Sequence, residues 1–283
     1  KKALEYHAKG YNCAQSVACA FCDRLGKDEK TVFEMTEAFG FGMGTMGTCG
    51  AVSAMAAVVG MVESDGNLEA PKTKKKSYGA MKELTYKFIE KNEYLAKFCE
   101  FMALMAVNGE RPWQQWKVKE YNENVLYVWQ FIEYEFFMQW YEIKKYANDK
   151  GIKIIGDIPI YVSFDSADVW GNREQFLLDD DYTPSSVAGV PPDYFSKDGQ
   201  LWGNPLYNWE VMEKDGFSFW KARLKMMFNL FNGIRIDHFR GIESFWSVPK
   251  GAKTAAEGKW VKGPGKKFVD MAKRVAKDKL LIA

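Results

Sequence analysis

Two stretches decide the fold: IKIIGDIPIYV, residues 152–162, and GIRIDHF, residues 233–239. Each is a short β-branched run bounded by glycine, the pattern of a buried strand. Working outward from the second, Phe217 to Leu230 reads as a helix in front of it. Behind it a loop runs to Gly265, Phe268 to Ala276 reads as a helix, and KLLIA (279–283) begins a third strand. In front of the first stretch, Tyr127 to Tyr146 reads as a long amphipathic aromatic helix closed by Lys150-Gly151, and Ala96 to Val107 as a buried helix. Residues 163–210, rich in Asp, Pro, Gly and Trp, read mostly as loop. Helix, strand, loop, helix, strand is the rhythm of a β/α barrel or another parallel α/β domain.

The pattern changes before that region. In residues 1–90, Ala14, Val17, Ala18 and Phe21 recur at the helical period. FGFGMGTMGTCG (39–50) reads as a glycine loop, and a small-residue helix (51–62) should follow it. Tyr78 to Lys91 is another helical pattern. All ten Trp lie from Trp113 onward and four of the five Cys lie before residue 50. The expected fold class is therefore α/β, with a small all-helical, cysteine-containing module over 1–91 in front of a β/α region over 92–283.

Bulk properties exclude several classes. With 47% hydrophobic and 27% charged residues, the chain is globular rather than disordered. A net charge of +2 argues against an electrostatic nucleic-acid binder. No run reaches the roughly 18 apolar residues a membrane helix needs, so no membrane partner is expected. An odd cysteine count without dense spacing does not suggest a secreted disulfide scaffold, and the expected compartment is the cytoplasm.

Asp157 and Asp237 stand at or near the C-terminal ends of two predicted strands, the edge that carries active sites in parallel α/β domains. Arg235 shares a strand face with Asp237, and an Arg beside a carboxylate favours its ionised form. That suits a nucleophilic or charge-stabilising role; a structural ion pair has the same spacing. PPDYFSKDGQLWGNPLYNW (191–209) sets aromatic rings among amides and acids, a surface suited to sugar rings and their hydroxyls.

From about residue 95 to 283 the sequence resembles the 4-alpha-glucanotransferases, also called amylomaltases or disproportionating enzymes. The resemblance rests on GIKIIGDIPIYVSFDSADVW (151–170), VAGVPPDYFSKDGQLWGNPLYNW (187–209), GIRIDHFRGIESFW (233–246) and GKWVKGPG (258–265). It implies a (β/α)8 barrel, here an incomplete portion of one, and transfer of an α-1,4-glucan segment to the 4-hydroxyl of an acceptor sugar. Such retaining chemistry uses a carboxylate nucleophile and a carboxyl acid/base about 5–5.5 Å apart. The resemblance makes Asp237 the nucleophile and Arg235 its orienting partner, with His238 bonding the sugar at the cleavage site. Asp157 matches a family strand end, and Trp202, Asn204 and Pro205 fall in a substrate-lining loop. It implies α-1,4-glucans and maltooligosaccharides as partners, and no metal or organic cofactor. The family's acid/base is a Glu following the sequence LIA, which here is Leu281 to Ala283, so the expectation is a chain inactive for want of that group.

The cysteines carry a separate reading. Cys19 and Cys22 form a Cys-x-x-Cys pair, either a redox or metal half-site or two small residues packing a helical core. Cys49 precedes a predicted helix whose dipole would favour its thiolate. With two His in the chain, a mixed His/Cys metal site is not expected. NCAQSV (12–17), the glycine loop and CGAVSA (49–54) resemble a family of redox-active proteins with the pattern C, GCAxxG, C, C. That resemblance puts Cys13 and Cys49 at its first two cysteine positions and Ala54 where a Gly is usual. The alternatives to a glucanotransferase are thus a thiol redox or metal-binding module and a non-functional truncated fusion.

Overall fold

The structure, a computed structural model, describes residues 2–40, 43, 50–69 and 72–283. They divide into two compact units: Lys1–Glu93 with Tyr127–Ile143, and Tyr94–Leu126 with Lys144–Ala283. The expected glycine loop at 39–50, with Cys49, lies almost wholly outside the described residues.

The first unit is helical: α1 (Lys2–Ala8), α2 (Cys13–Cys19), α3 (Cys22–Leu25), α4 (Glu29–Thr36), α5 (Gly50–Glu63) and α6 (Lys74–Glu90). Local chemistry sets the boundaries. Asn12 and Gln15 close a reciprocal capping box at the start of α2. Asp28 caps α4 by accepting from the Thr31 N–H. Gly26 ends α3 in the left-handed conformation. The core of this unit is small-sided, with Tyr6, Ala14, Ala18, Cys19, Cys22, Val32 and Val58 packed together.

The second unit begins with α7 (Glu93–Val107). The long helix α8 (Glu123–Asp149) gives its middle to the first unit and its last turns to the second. There follow β1 (Ile155–Ile158), α9 (Ala167–Trp170), β2 (Ser186–Val190), β3 (Gln200–Pro205), α10 (Trp209–Lys214), α11 (Ser218–Leu230), β4 (Gly233–Ile236), β5 (Ser244–Pro249), β6 (Lys259–Lys262), α12 (Lys266–Ala276) and β7 (Leu280–Ile282). The three expected strands are all present, and they form one parallel sheet in the order β1-β4-β7. Its Ile158, Ile234 and Ile236 are buried against the core that holds Trp220, Leu224, Phe268 and Met271 of α11 and α12. The alternate residues, Ile155, Asp157, Arg235 and Leu280, are exposed on the other face.

The loop expectation for 163–210 and for the stretch up to Gly265 needs correcting. These segments contain β2, β3, β5 and β6, a second, antiparallel sheet in the order β3-β2-β5-β6. Three of its four strands contain Gly or Pro, and all are only four to six residues long. The β2–β3 ladder also shifts register between Val187 and Gly189. Strands paired across long sequence separations leave little local periodicity to read. No helix among the described residues is long and apolar enough to cross a membrane.

Candidate active site

The site begins with the register of two parallel strands. β1 and β4 pair so that Asp157 stands opposite Arg235, and the two-residue strand period puts both on the exposed face. The Arg235 guanidinium forks between two carboxylates. Nη2 donates to Asp157 Oδ2 at 2.5 Å and Nη1 to Asp237 Oδ1 at 2.9 Å. Its two charge-assisted bonds tie the ends of neighbouring strands together. The hydrogen bond to Asp157, with the charges of both acids, raises the Arg235 pKa further above its ordinary value. One cation against two anions leaves the cluster with a net negative charge.

Asp237 is fixed through its backbone as well. Its N–H donates to the Ile158 carbonyl at 2.9 Å, one step beyond the paired strand. The chain then turns sharply at His238, which is left-handed with φ of 48°. This turn carries the imidazole onto Trp202, edge to face, with ring centroids 4.9 Å apart. Burial lowers the His238 pKa below 6.5, and Arg240 acts the same way against the opposing pull of Asp237. At neutral pH the ring is therefore uncharged. It can give one N–H and accept at the other nitrogen.

Trp202 is the aromatic wall of the site. Its Nε1 donates to Gln200 Oε1 at 3.0 Å, and Tyr161 meets it edge to face at 6.2 Å. Asn204 lies nearby but is committed to architecture, donating its side-chain amide to the Val162 carbonyl at 2.8 Å. Pro205 is buried in the β2–β3 pair opposite Val187. The structure thus brings Asp157, Arg235, Asp237, His238 and Trp202 into one cluster, and Asn204 and Pro205 follow Trp202 on β3.

Several supporting residues were not singled out in the sequence. Tyr207, fully buried, donates its hydroxyl to the Ile160 carbonyl at 2.5 Å, and buried Arg223 donates to the same oxygen at 3.2 Å. With Asp237 N–H on Ile158 and Asn204 on Val162, alternate carbonyls after β1 are held by distant parts of the chain. Tyr161, Gln200 and Tyr207 all lie within the quoted stretches, where their polarity was the only available signal. Arg223 sits inside a helical pattern and gave none.

The first unit treats its cysteines differently. Cys19 and Cys22 are buried; their Sγ atoms lie 3.9 Å from the Glu29 and Ala18 carbonyls respectively. Burial foremost pushes the Cys19 thiol up to about 11 and raises Cys22 as well. Both are protonated at neutral pH, which suits packing better than attack. Cys13, half-buried, opens α2.

The family model for 4-alpha-glucanotransferase matches residues 67–283, and that for putative redox-active proteins (C_GCAxxG_C_C) matches residues 11–120. The chain is 46% identical over 198 residues to the 4-alpha-glucanotransferase of Aquifex aeolicus, 65% of this chain and 41% of that protein. It is 46% identical over 212 residues to that of Clostridium butyricum, 70% of this chain and 44% of that protein. Among solved structures it is similar to amylomaltase from Streptococcus agalactiae in complex with acarbose. There the TM-score is 0.67 and the identity 37%, over 71% of this chain and 44% of that one. Parallel strands flanked by helices, with carboxylates at their C-terminal ends, place the second unit in the α/β class. The chain belongs to the 4-alpha-glucanotransferase family, and it spans about two fifths of the length of the curated relatives it matches.

Proposed function

We propose that the second unit is a portion of a (β/α)8 barrel that acts on α-1,4-glucans and maltooligosaccharides by retaining glycosyl transfer. In this reading β1, β4 and β7 are neighbouring barrel strands with the site at their C-terminal ends. Asp237 attacks the anomeric carbon, the glycosidic bond breaks, and the glycosyl group is held as an ester until an acceptor 4-hydroxyl takes it. Arg235 orients Asp237 and shares its charge with Asp157. His238 bonds the sugar in the cleavage subsite. Trp202 stacks on a neighbouring ring, with Asn204 and Pro205 shaping its loop. The observation that carries the reading is the Arg235 fork, which joins two strand-end carboxylates beside an aromatic wall.

The reading assigns a nucleophile within these residues and assigns no acid/base. A donor whose leaving group needs no proton isolates the assigned half of the chemistry. With α-maltosyl fluoride, fluoride departs and the maltosyl group should become esterified to Asp237, visible as a mass increase on the intact protein and mapped by peptide sequencing. Asp237→Asn should abolish the adduct. A wild-type chain that stays unlabelled at millimolar donor would refute the assignment. For the first unit, the match of residues 11–120 supports a second reading, thiol chemistry centred on Cys13 with Cys49. The protonated, buried Cys19 and Cys22 are the weaker candidates.

A further inference from the structure

Tyr207 lies behind the carboxylate cluster, and its hydroxyl is committed to one backbone oxygen. Fully buried, it donates to the Ile160 carbonyl at 2.5 Å, and Nη1 of Arg223 donates to the same oxygen at 3.2 Å. Arg223 also reaches the Tyr207 hydroxyl at 3.4 Å, and its guanidinium lies over the Trp220 ring, 4.9 Å from the centroid. Two donors occupy both lone pairs of the Ile160 carbonyl, so the peptide between Ile160 and Tyr161 is held from two directions. Burying a guanidinium is costly, and these partners are neutral: a carbonyl, a hydroxyl and an indole face. Asp168, close enough for its charge to act on Tyr207, takes its hydrogen bond from the Tyr94 hydroxyl at 2.8 Å. An apolar side chain of similar size would fill the same space in α11 at lower cost. The charge of Arg223 therefore serves the placement of Ile160 more than the cohesion of the core.

The neighbours of Ile160 and Tyr161 show what that placement controls. The Tyr161 ring stacks on Tyr207 at 5.8 Å and meets Trp202 edge to face at 6.2 Å. Trp202 in turn meets His238 at 4.9 Å. A second route is shorter. A Cβ on Gly241 would stand 2.8 Å from Ile160 Cδ1, 3.4 Å from His238 Cδ2 and 3.5 Å from the Tyr161 hydroxyl. Ile160 and Tyr161 thus bear directly on the turn that carries His238. Trp202 is 37% exposed, so burial alone does not hold its ring.

We propose that Tyr207, backed by Arg223, is a positioning residue: by clamping the Ile160 carbonyl it sets Tyr161, and through Tyr161 the Trp202–His238 pair. The functional side of this proposal rests on the reading of that pair as a glucan-binding wall.

NMR of the full chain with isotopically labelled histidine tests it. The chain has two histidines, and His7, exposed on α1, serves as an internal reference for His238. Trp202→Leu should displace the His238 imidazole signal, which calibrates the contribution of the Trp202 ring. Tyr207→Phe keeps its own ring and removes the hydroxyl. It should displace the His238 signal by at least half as much and leave His7 unmoved. Arg223→Met should act in the same direction, whereas Arg223→Lys, which can still donate to the carbonyl, should restore most of the wild-type position. Phe228→Leu, which thins the same core outside this set of contacts, should lower the melting temperature without moving His238. Maltoheptaose should shift the wild-type signal saturably, and Tyr207→Phe should weaken that binding roughly threefold, as suits a stacked ring misplaced rather than removed. An unmoved His238 signal in Tyr207→Phe, or an equal displacement by Phe228→Leu, would overturn the proposal. A wild-type signal that ignores maltoheptaose would refute the glucan-binding wall instead, and the ligand-free spectra would still decide the clamp.

Discussion

One guanidinium joins the two strand ends that carry the candidate chemistry. Arg235 bonds to an acid 78 positions away and to one two positions away. The second contact was legible from strand periodicity alone. The first was not, because it depends on which strand lies beside β4 and in which register. His238 shows the same division. Its place after Asp237 is sequence, whereas its packing on Trp202 is tertiary. That burial has a consequence in pH. The folded state holds the pKa of His238 below its ordinary 6.5, so the unfolded chain binds the proton more readily. The stabilisation is fully present above pH 6.5 and is lost as pH falls through the folded value. We expect the melting temperature of the wild type to fall more steeply between pH 7.5 and 5.5 than that of His238→Asn, since Asn tolerates the left-handed backbone without titrating. Equal slopes in the two proteins would show that His238 contributes nothing to the acid response.

At the scale of elements, the three parallel strands, buried on one face of β1 and β4 only, and the helices around them were legible because each carries a strong local pattern. The antiparallel sheet was not, for its strands depend on one another rather than on their own sequence. Trp246 is set by pairing with Gly189 on one side and Trp260 on the other. Glycines mark the places where elements approach most closely. A Cβ at Gly156, on the buried face of β1, would stand 2.2 Å from Cδ2 of Phe231, which is why that strand position has no side chain. Gly156→Ala should destabilise the second unit by about 1–3 kcal/mol in urea unfolding, the usual cost of overpacking. Adding Phe231→Leu should recover part of that loss. Additive effects of the two substitutions would mean that the ring is not the obstacle.

At the scale of the whole molecule, two separate cores coexist in one chain. The first packs alanines, cysteines and tyrosines, and the second is dense in aromatic rings, with Phe268 fully buried among Trp209, Phe217 and Trp220. Phe268→Ala should cost the second unit ~3–5 kcal/mol. Differential scanning calorimetry should show one transition lowered and the transition of the first unit unchanged; a common shift of all unfolding would contradict two independent cores. The sequence by itself determined the positions of the parallel strands and singled out Asp157, Arg235, Asp237 and His238 as the residues to examine, but it did not anticipate that Tyr127–Ile143 groups with the first unit. Those positions and residues follow from composition, periodicity and motif, which are local properties of the chain. Only the tertiary structure decided that Arg235 bridges both acids, that Asn204 bonds the Val162 carbonyl, and that a second sheet presents Trp202 to His238. Each of those depends on strand register and burial, which are set by residues tens of positions apart and leave no periodic trace in the sequence.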